Sequence, residues 1–239
     1  MEKFSDRIYY TPHNDDTDEP YLYFIKGDRY SLQVDTGNSP ASCRKFLEEA
    51  AKEGLGIPNL AALTHWHWDH TFGITACPVP VIASKLTGDK LRTVMGWEWT
   101  EKEMRKRLHT GEDIPFCYEK MHCEYKDIAE IKTGVPDIEF SGTLTIDLGG
   151  CTAILEQRDS THTRDSVFIR IPEEGVLIGG DAEYEDYYDN NSMYDPERLR
   201  SMIDYLDKTD FKWYLRGHDD AACSKKEILD KLRTALAAC

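Results

Sequence analysis

Thr64-His65-Trp66-His67-Trp68-Asp69-His70 decides how this chain is read, because it packs three imidazoles and a carboxylate into six residues after the apolar run Leu60-Ala61-Ala62-Leu63. Leu60 to Thr64 reads as a short buried strand, so His65 and His67, two residues apart at its end, are expected to project to the same side. A chain reversal after them brings Asp69 and His70 round to a second point nearby, adding an oxygen and a nitrogen donor. Neutral imidazole and carboxylate are ligands for zinc, iron, manganese or nickel, and the lack of thiolate in the cluster argues against a closed structural zinc site. Two adjacent metals fit this donor set better than one. A polar turn with merely solvated histidines is the competing reading, and the density of the cluster speaks against it.

His-x-His-x-Asp-His after a hydrophobic strand resembles the signature of the metallo-β-lactamase-fold hydrolases. The resemblance implies an α/β fold, a four-layer αββα sandwich, with a binuclear metal centre whose remaining ligands follow in fixed order: a third His, a bridging Asp and a last His. His162, in Ser160-Thr161-His162-Thr163-Arg164-Asp165-Ser166 ahead of the β-rich run Val167-Phe168-Ile169-Arg170-Ile171, matches the third His. Asp181 ends the buried strand Val176-Leu177-Ile178-Gly179-Gly180 and matches the bridging Asp, its two glycines letting backbone approach the metals closely. His218 closes Trp213-Tyr214-Leu215-Arg216-Gly217 and matches the last ligand. Asp35, after Leu32-Gln33-Val34, resembles the family's first element, a carboxylate that supports the centre from behind the ligands.

The implied assignment puts His65, His67 and His162 on one metal and Asp69, His70 and His218 on the other, with Asp181 bridging and a hydroxide completing the bridge. Asp69 is also expected to orient the attacking water or accept its proton. Taken alone, each later residue reads as a surface histidine or a turn former. Order and strand-end placement lift them together. His13, His109 and His122 stay outside the set and read as solvated or locally hydrogen-bonded.

By the same resemblance the chain is a binuclear metal-dependent hydrolase acting on a small-molecule ester, thioester or phosphodiester. Two divalent cations, zinc first with iron or manganese as alternatives, held about 3.5–4 Å apart, lower the pKa of a shared water and polarise the substrate. The ligand set is like that of glyoxalase II, although the C-terminal portion is too short for that enzyme's helical domain. Two other readings compete. One is an iron-dependent oxygenase or oxidoreductase on the same fold, and the other a noncatalytic ligand-binding module, against which the complete ligand set argues.

A chain of 239 residues with net charge −15 is expected to form one domain over 1–239 and to leave nucleic acid alone, since phosphate contacts need clustered Lys and Arg. Neither a signal peptide nor a membrane span is apparent, so a cytoplasmic location and no membrane partner are expected. Seven cysteines without a C-x-x-C pair point to reduced, mostly buried thiols. Cys223 follows His218 closely but reads as packing.

Outside the ligand elements, a β-region is expected over 8–34, a helix over 41–53 and a proline-punctuated strand over 78–83. Residues 87–140 turn charged, aromatic and helix-prone, an insert that by resemblance lies beside the cleft and helps choose substrate. Its Trp97 and Trp99 line a pocket, form a small helical core or make a homodimer contact, while Arg105-Lys106-Arg107 reads as a solvated face. The run Glu183-Tyr184-Glu185-Asp186-Tyr187-Tyr188-Asp189-Asn190-Asn191 begins at a candidate ligand, so its tyrosines wall the pocket, bond the substrate or simply connect. Arg164 departs from the family's usual Pro-Gly and pairs either with a substrate anion or with an acidic neighbour such as Asp165. Asp195 and Pro196 open one helix, and Ser224 caps the last, 225–237.

Overall fold

The computed structural model describes residues 1–189 and 192–239, so the end of the tyrosine run, Asn190 and Asn191, lies outside the described residues. Two sheets face each other. The first runs in the order β1 (Glu2–Lys3), β2 (Ile8–Thr11), β3 (Leu22–Lys26), β4 (Ser31–Val34), β5 (Leu60–Ala62), β6 (Val81–Ser84) and β7 (Ile138–Phe140). It is antiparallel as far as β4 and parallel from there. The second holds β8 (Thr143–Asp147), β9 (Thr152–Gln157), β10 (Val167–Ile171), β11 (Val176–Gly180), β12 (Trp213–Arg216) and β13 (Ala222–Ser224), with only β11 and β12 parallel.

Strand alternation builds the layers. Ile169 and Ile171 of β10 face Ile25, Leu32 and Val34 across the sandwich, while Phe168 between them turns to the helices behind. Behind the second sheet, α6 (Pro196–Lys208) and α7 (Lys225–Ala238) set Leu199, Met202, Leu206, Ile228 and Leu232 against Phe168, Leu177 and Tyr214. Each such fully buried aliphatic side chain contributes about 1.5–3 kcal/mol. Behind the first sheet, α1 (Pro40–Lys52) buries Phe46 and Ala50 on Leu22 and Phe24, and α3 (Lys85–Met95) brings Leu91 onto Leu63, Val81 and Ala83. The helix caps follow local chemistry. Asp195 accepts the N–H groups of Glu197 and Arg198, and Ser224 with Glu227 forms a reciprocal capping box.

The ends of the 87–140 interval belong to the sandwich, through α3 at one side and β7 paired to β6 at the other. Between them Trp99 and the helices α4 (Glu101–Thr110) and α5 (Pro115–Glu124), through Met104, Cys117 and Met121, pack on Trp66, Trp68 and Phe72 of the segment after β5. Trp97 and Trp99 thus serve a small helical core. Arg107 is not on a solvated face: it is buried at 4% exposure, with its guanidinium 4.6 Å from the Trp97 ring and 4.8 Å from the Trp99 ring. Its Nη1 donates to the Glu98 carbonyl (3.0 Å), so the aromatic pair and the carbonyl together take the charge out of water. Arg105 and Lys106 are exposed.

Among the described residues no helix is long and apolar enough to cross a membrane. All seven cysteines are free, and Cys43, Cys117, Cys151 and Cys223 are buried.

Candidate metal centre

Four strand ends converge on one place. Asp35 follows β4, His65 follows β5, Asp181 follows β11 and His218 follows β12. Each strand runs parallel to its partner in this set, so all four open at their carboxyl ends, where loops of α/β sheets gather functional groups.

The chain leaves the first sheet earlier than its apolar run suggests. The Thr64 N–H donates to Asp35 Oδ1 (2.7 Å) and the Thr64 hydroxyl to Asp35 Oδ2 (2.8 Å), which ends β5 at Ala62. Strand alternation therefore does not carry through His65 and His67. A loop brings their rings to 4.6 Å, and the single turn α2 (Trp68–Thr71) presents Asp69 and His70 beside them. Asp35 itself holds a left-handed backbone, φ +61, and its Oδ2 accepts from His70 Nδ1 (2.8 Å).

Donor atoms of His65, His67 and His162 lie within 4.8 Å of one another. The Nδ1–H of His162 donates to the Glu185 carbonyl (2.8 Å), which fixes the tautomer and leaves Nε2 with its lone pair, 2.9 Å from His67 Nδ1. Burial pushes His65 and His67 well below the ordinary imidazole range, with neighbouring imidazoles adding to the effect, so both are neutral.

Donor atoms of Asp69, His70, Asp181 and His218 form a second group within 4.8 Å. His70 Nε2 stands 3.0 Å from Asp69 Oδ2 and 3.4 Å from Asp181 Oδ2, and His218 Nε2 3.2 Å and 3.5 Å from the same two oxygens. Burial works against every charge here and is outweighed. The surrounding carboxylates hold His70 well above its usual value and His218 up to about 9, while the histidines hold Asp69 and Asp181 well below theirs.

Asp181 Oδ2 is also 3.9 Å from His162 Nε2, so this carboxylate stands between the groups. A Cβ on Gly217 would collide with Asp181 Oδ1, and one on Gly179 with the Tyr214 hydroxyl. The glycines thus make room for protein side chains around the ligands. Two buried ligand-type atoms at the centre, His65 Nε2 and Asp181 Oδ1, have no hydrogen-bond partner among the described residues. Each such atom costs about 1–3 kcal/mol, and their convergence together with the imidazole and carboxylate chemistry fits divalent metal ions.

The ligand order, the shared carboxylate and the two-sheet scaffold agree with a match to the family model described as metallo-beta-lactamase superfamily over residues 16–233. The chain belongs to the metallo-beta-lactamase superfamily. Solved structures of that fold resemble it throughout. A metallo-beta-lactamase from Pontibacter korlensis superposes with TM-score 0.65 at 17% identity, covering 98% of this chain and 97% of that one. A metallo-beta-lactamase family protein from Thermus thermophilus gives 0.67 at 17% identity, with 99% and 80% covered. A Cronobacter sakazakii metallo-beta-lactamase carrying a mutated HARLDQ motif gives 0.67 at 16%, with 100% and 95% covered. At these identities the likeness is one of fold. No match to the sequence is found among curated proteins.

A cavity of about 520 Å³ opens at the candidate ligand cluster, and His67, Asp69, His162, Asp181 and His218 are among its lining residues. The tyrosine run forms one wall. Tyr184 donates to Asp219 Oδ2 (2.7 Å), Tyr187 sits 5.6 Å from the His162 ring, and Tyr188 lies 5.1 Å from the His67 ring. The insert adds Ile114, Pro115, Phe116 and Cys117 to the lining, where the Tyr188 hydroxyl lies 3.4 Å from Cys117 Sγ. A second groove, about 580 Å³ and lined by Arg158, Arg170 and Lys208 among others, contains none of the ligand candidates.

Other expected residues fall elsewhere. Arg164 is exposed and does not line the cavity, and Asp165 instead accepts from the Thr87 hydroxyl (2.7 Å). Cys223 packs among the helices behind the second sheet. His109 and His122 are exposed, and His122 bonds Glu101 (2.5 Å) and the Tyr118 carbonyl (2.7 Å). His13 is half-buried, its ring 6.3 Å from that of His218. Sequence reading missed Asp18, which lines the cavity 3.9 Å from His218 Nδ1, and Asp219 and Cys117. The signal for Asp219 was its place beside a ligand. Asp18 and Cys117 carry none, because only long-range folding brings them to the cleft.

Proposed function

We propose that this chain is a binuclear metal-dependent hydrolase acting on a small ester, thioester or phosphodiester. The observation that carries the reading is one carboxylate, Asp181, within reach of both ligand groups and lining the same cleft. His65, His67 and His162 would hold one cation, and Asp69, His70 and His218 the other, with Asp181 shared. A pair of divalent cations supplies an ionised water near neutral pH and polarises the group under attack. The protein's own residues do the rest. Asp35 fixes the ring of His70. Asp69, lining the cavity and held ionised by its histidines, orients the attacking water and accepts its proton. Tyr184, Tyr187, Tyr188 and Phe116 wall the cleft and limit bulk water.

Within the three substrate classes the lining favours an uncharged ester or thioester with an apolar arm. Among the described lining residues there is no Lys or Arg, whereas Ile114, Pro115, Phe116 and the tyrosines offer apolar surface. Lys120 reaches only the rim, on the Asp15 carbonyl and 5.5 Å over the Phe116 ring. The test is zinc-loaded protein against matched aryl acetate, thioester, lactone, phosphodiester and β-lactam substrates. Turnover of a neutral ester or thioester, lost with a chelator and restored by zinc, is expected. Failure of two-cation protein to turn over any member would sink the reading, and preference for the phosphodiester would reverse the ranking.

A further inference from the structure

The short stretch 182–185 is tied to the neighbours of two other ligands. Glu183 is fully buried, two residues past Asp181, and Arg216, two residues before His218, has a nearly buried side chain. Glu183 Oε1 stands 3.2 Å from Arg216 Nε, and Glu183 Oε2 accepts from the Tyr214 hydroxyl (3.1 Å). That hydroxyl occupies the space a side chain on Gly179 would need, so the strand before Asp181 is shaped around it. The Tyr194 hydroxyl donates to the Glu183 carbonyl (2.9 Å). Parallel pairing adds the Gly217 N–H on the Gly180 carbonyl (2.9 Å). On the other side, the Thr161 hydroxyl donates to the Ala182 carbonyl (2.7 Å), next to His162.

These contacts are unequal in kind. The link to His162 is made by neutral hydrogen bonds to backbone carbonyls, whereas the link to His218 adds a buried ion pair between side chains to its neutral bonds. A buried charge deprived of its partner must move or draw in water, whereas a lost neutral bond leaves far less to relieve.

We infer that Glu183 is a positioning residue: its ion pair with Arg216 sets the distance between Asp181 and His218 and thereby tunes the second ligand group selectively. The inference rests on the two-cation reading for its consequence in metal affinity, but its structural content holds in metal-free protein. Glu183→Gln keeps the size of the side chain and an acceptor for Tyr214 while removing the charge, and Arg216→Met removes the other half.

Zinc affinity is measured at pH 8 by chelator competition in two backgrounds, His67→Ala, which leaves the Asp69/His70/Asp181/His218 group, and His70→Ala, which leaves the imidazole group. Glu183→Gln is expected to weaken zinc by ~10–100-fold in the first and by less than ~3-fold in the second, with Arg216→Met doing the same. In chelated protein, ring resonances of His218 should shift in Glu183→Gln while those of His65 and His67 stay. Equal losses in both backgrounds, or an unmoved His218 ring, would overturn the inference. If the unmutated chain takes no zinc, the two-cation reading falls and the metal-free spectrum still decides the role of Glu183.

Discussion

The two ligand groups differ in how their charges are held. His65, His67 and His162 carry no acid of their own, and burial keeps His65 and His67 neutral. Asp69, His70, Asp181 and His218 form a charge-balanced cluster in which each carboxylate faces two imidazoles. A cation on the imidazole side would keep more of its charge for a substrate, while one on the mixed side would first displace protons from His70 and His218. Asp181 joins the two. The support differs as well: a carboxylate, Asp35, backs His70 of the mixed group, whereas neutral oxygens back the imidazole group, the Thr64 hydroxyl at His65 Nδ1 (3.1 Å) and the Glu185 carbonyl at His162.

The largest effect should follow removal of the shared carboxylate. Asp181→Ala is expected to drop zinc content below two per chain and slow hydrolysis on the order of 10³-fold, about 4 kcal/mol of barrier, checked by metal analysis alongside kcat/KM. If both cations remained, the groups would be independent and the comparison would break. Next in size, His67→Ala and His70→Ala should each cost one cation from its own group, read by titration. Asp35→Asn should weaken the mixed group most, by ~10–100-fold, because the ring of His70 loses its charged support while His65 keeps the neutral Thr64 hydroxyl; an equal loss in the other group would mean that Asp35 merely holds the fold.

The last effect is on stability rather than on metal affinity and tests the insert. Burial raises Asp113 from 3.8 to about 6, against the pull of the Ile114 N–H and Arg107, with Tyr188 and Cys117 also packed near it. Folded protein therefore binds an extra proton between these values, so the stability contribution is complete below the ordinary carboxyl range and is lost as pH rises through about 6. Asp113→Asn should flatten this slope and stabilise chelated protein at pH 7 by up to ~3 kcal/mol, measured by denaturant midpoints between pH 4 and 8. A slope unchanged in the variant would remove Asp113 as its source.

Legibility followed the range of the interactions. His65, His67, Asp69 and His70 stood out because four ligand-type side chains fall within six residues, and Asp181 and His218 only through their order and strand-end places in the family resemblance. The caps at Asp195 and Ser224 are equally local. What stayed hidden depended on partners far along the chain. The end of β5 is set by Asp35 rather than by hydrophobicity, so the alternation drawn through His65 and His67 stopped short. Arg107 sits in a run of three cations, and only the folded Trp97 and Trp99 take it inside. Glu183 lay within a run noticed for its tyrosines, and its partner Arg216 is visible only once β11 and β12 pair.

The most direct test is zinc bound per chain after exhaustive chelation and back-titration, by calorimetry with elemental analysis. Two ions per chain, falling to one in His67→Ala and in His70→Ala separately, is the result this account predicts. Fewer than two in the unmutated chain, or a content untouched by both substitutions, would contradict it.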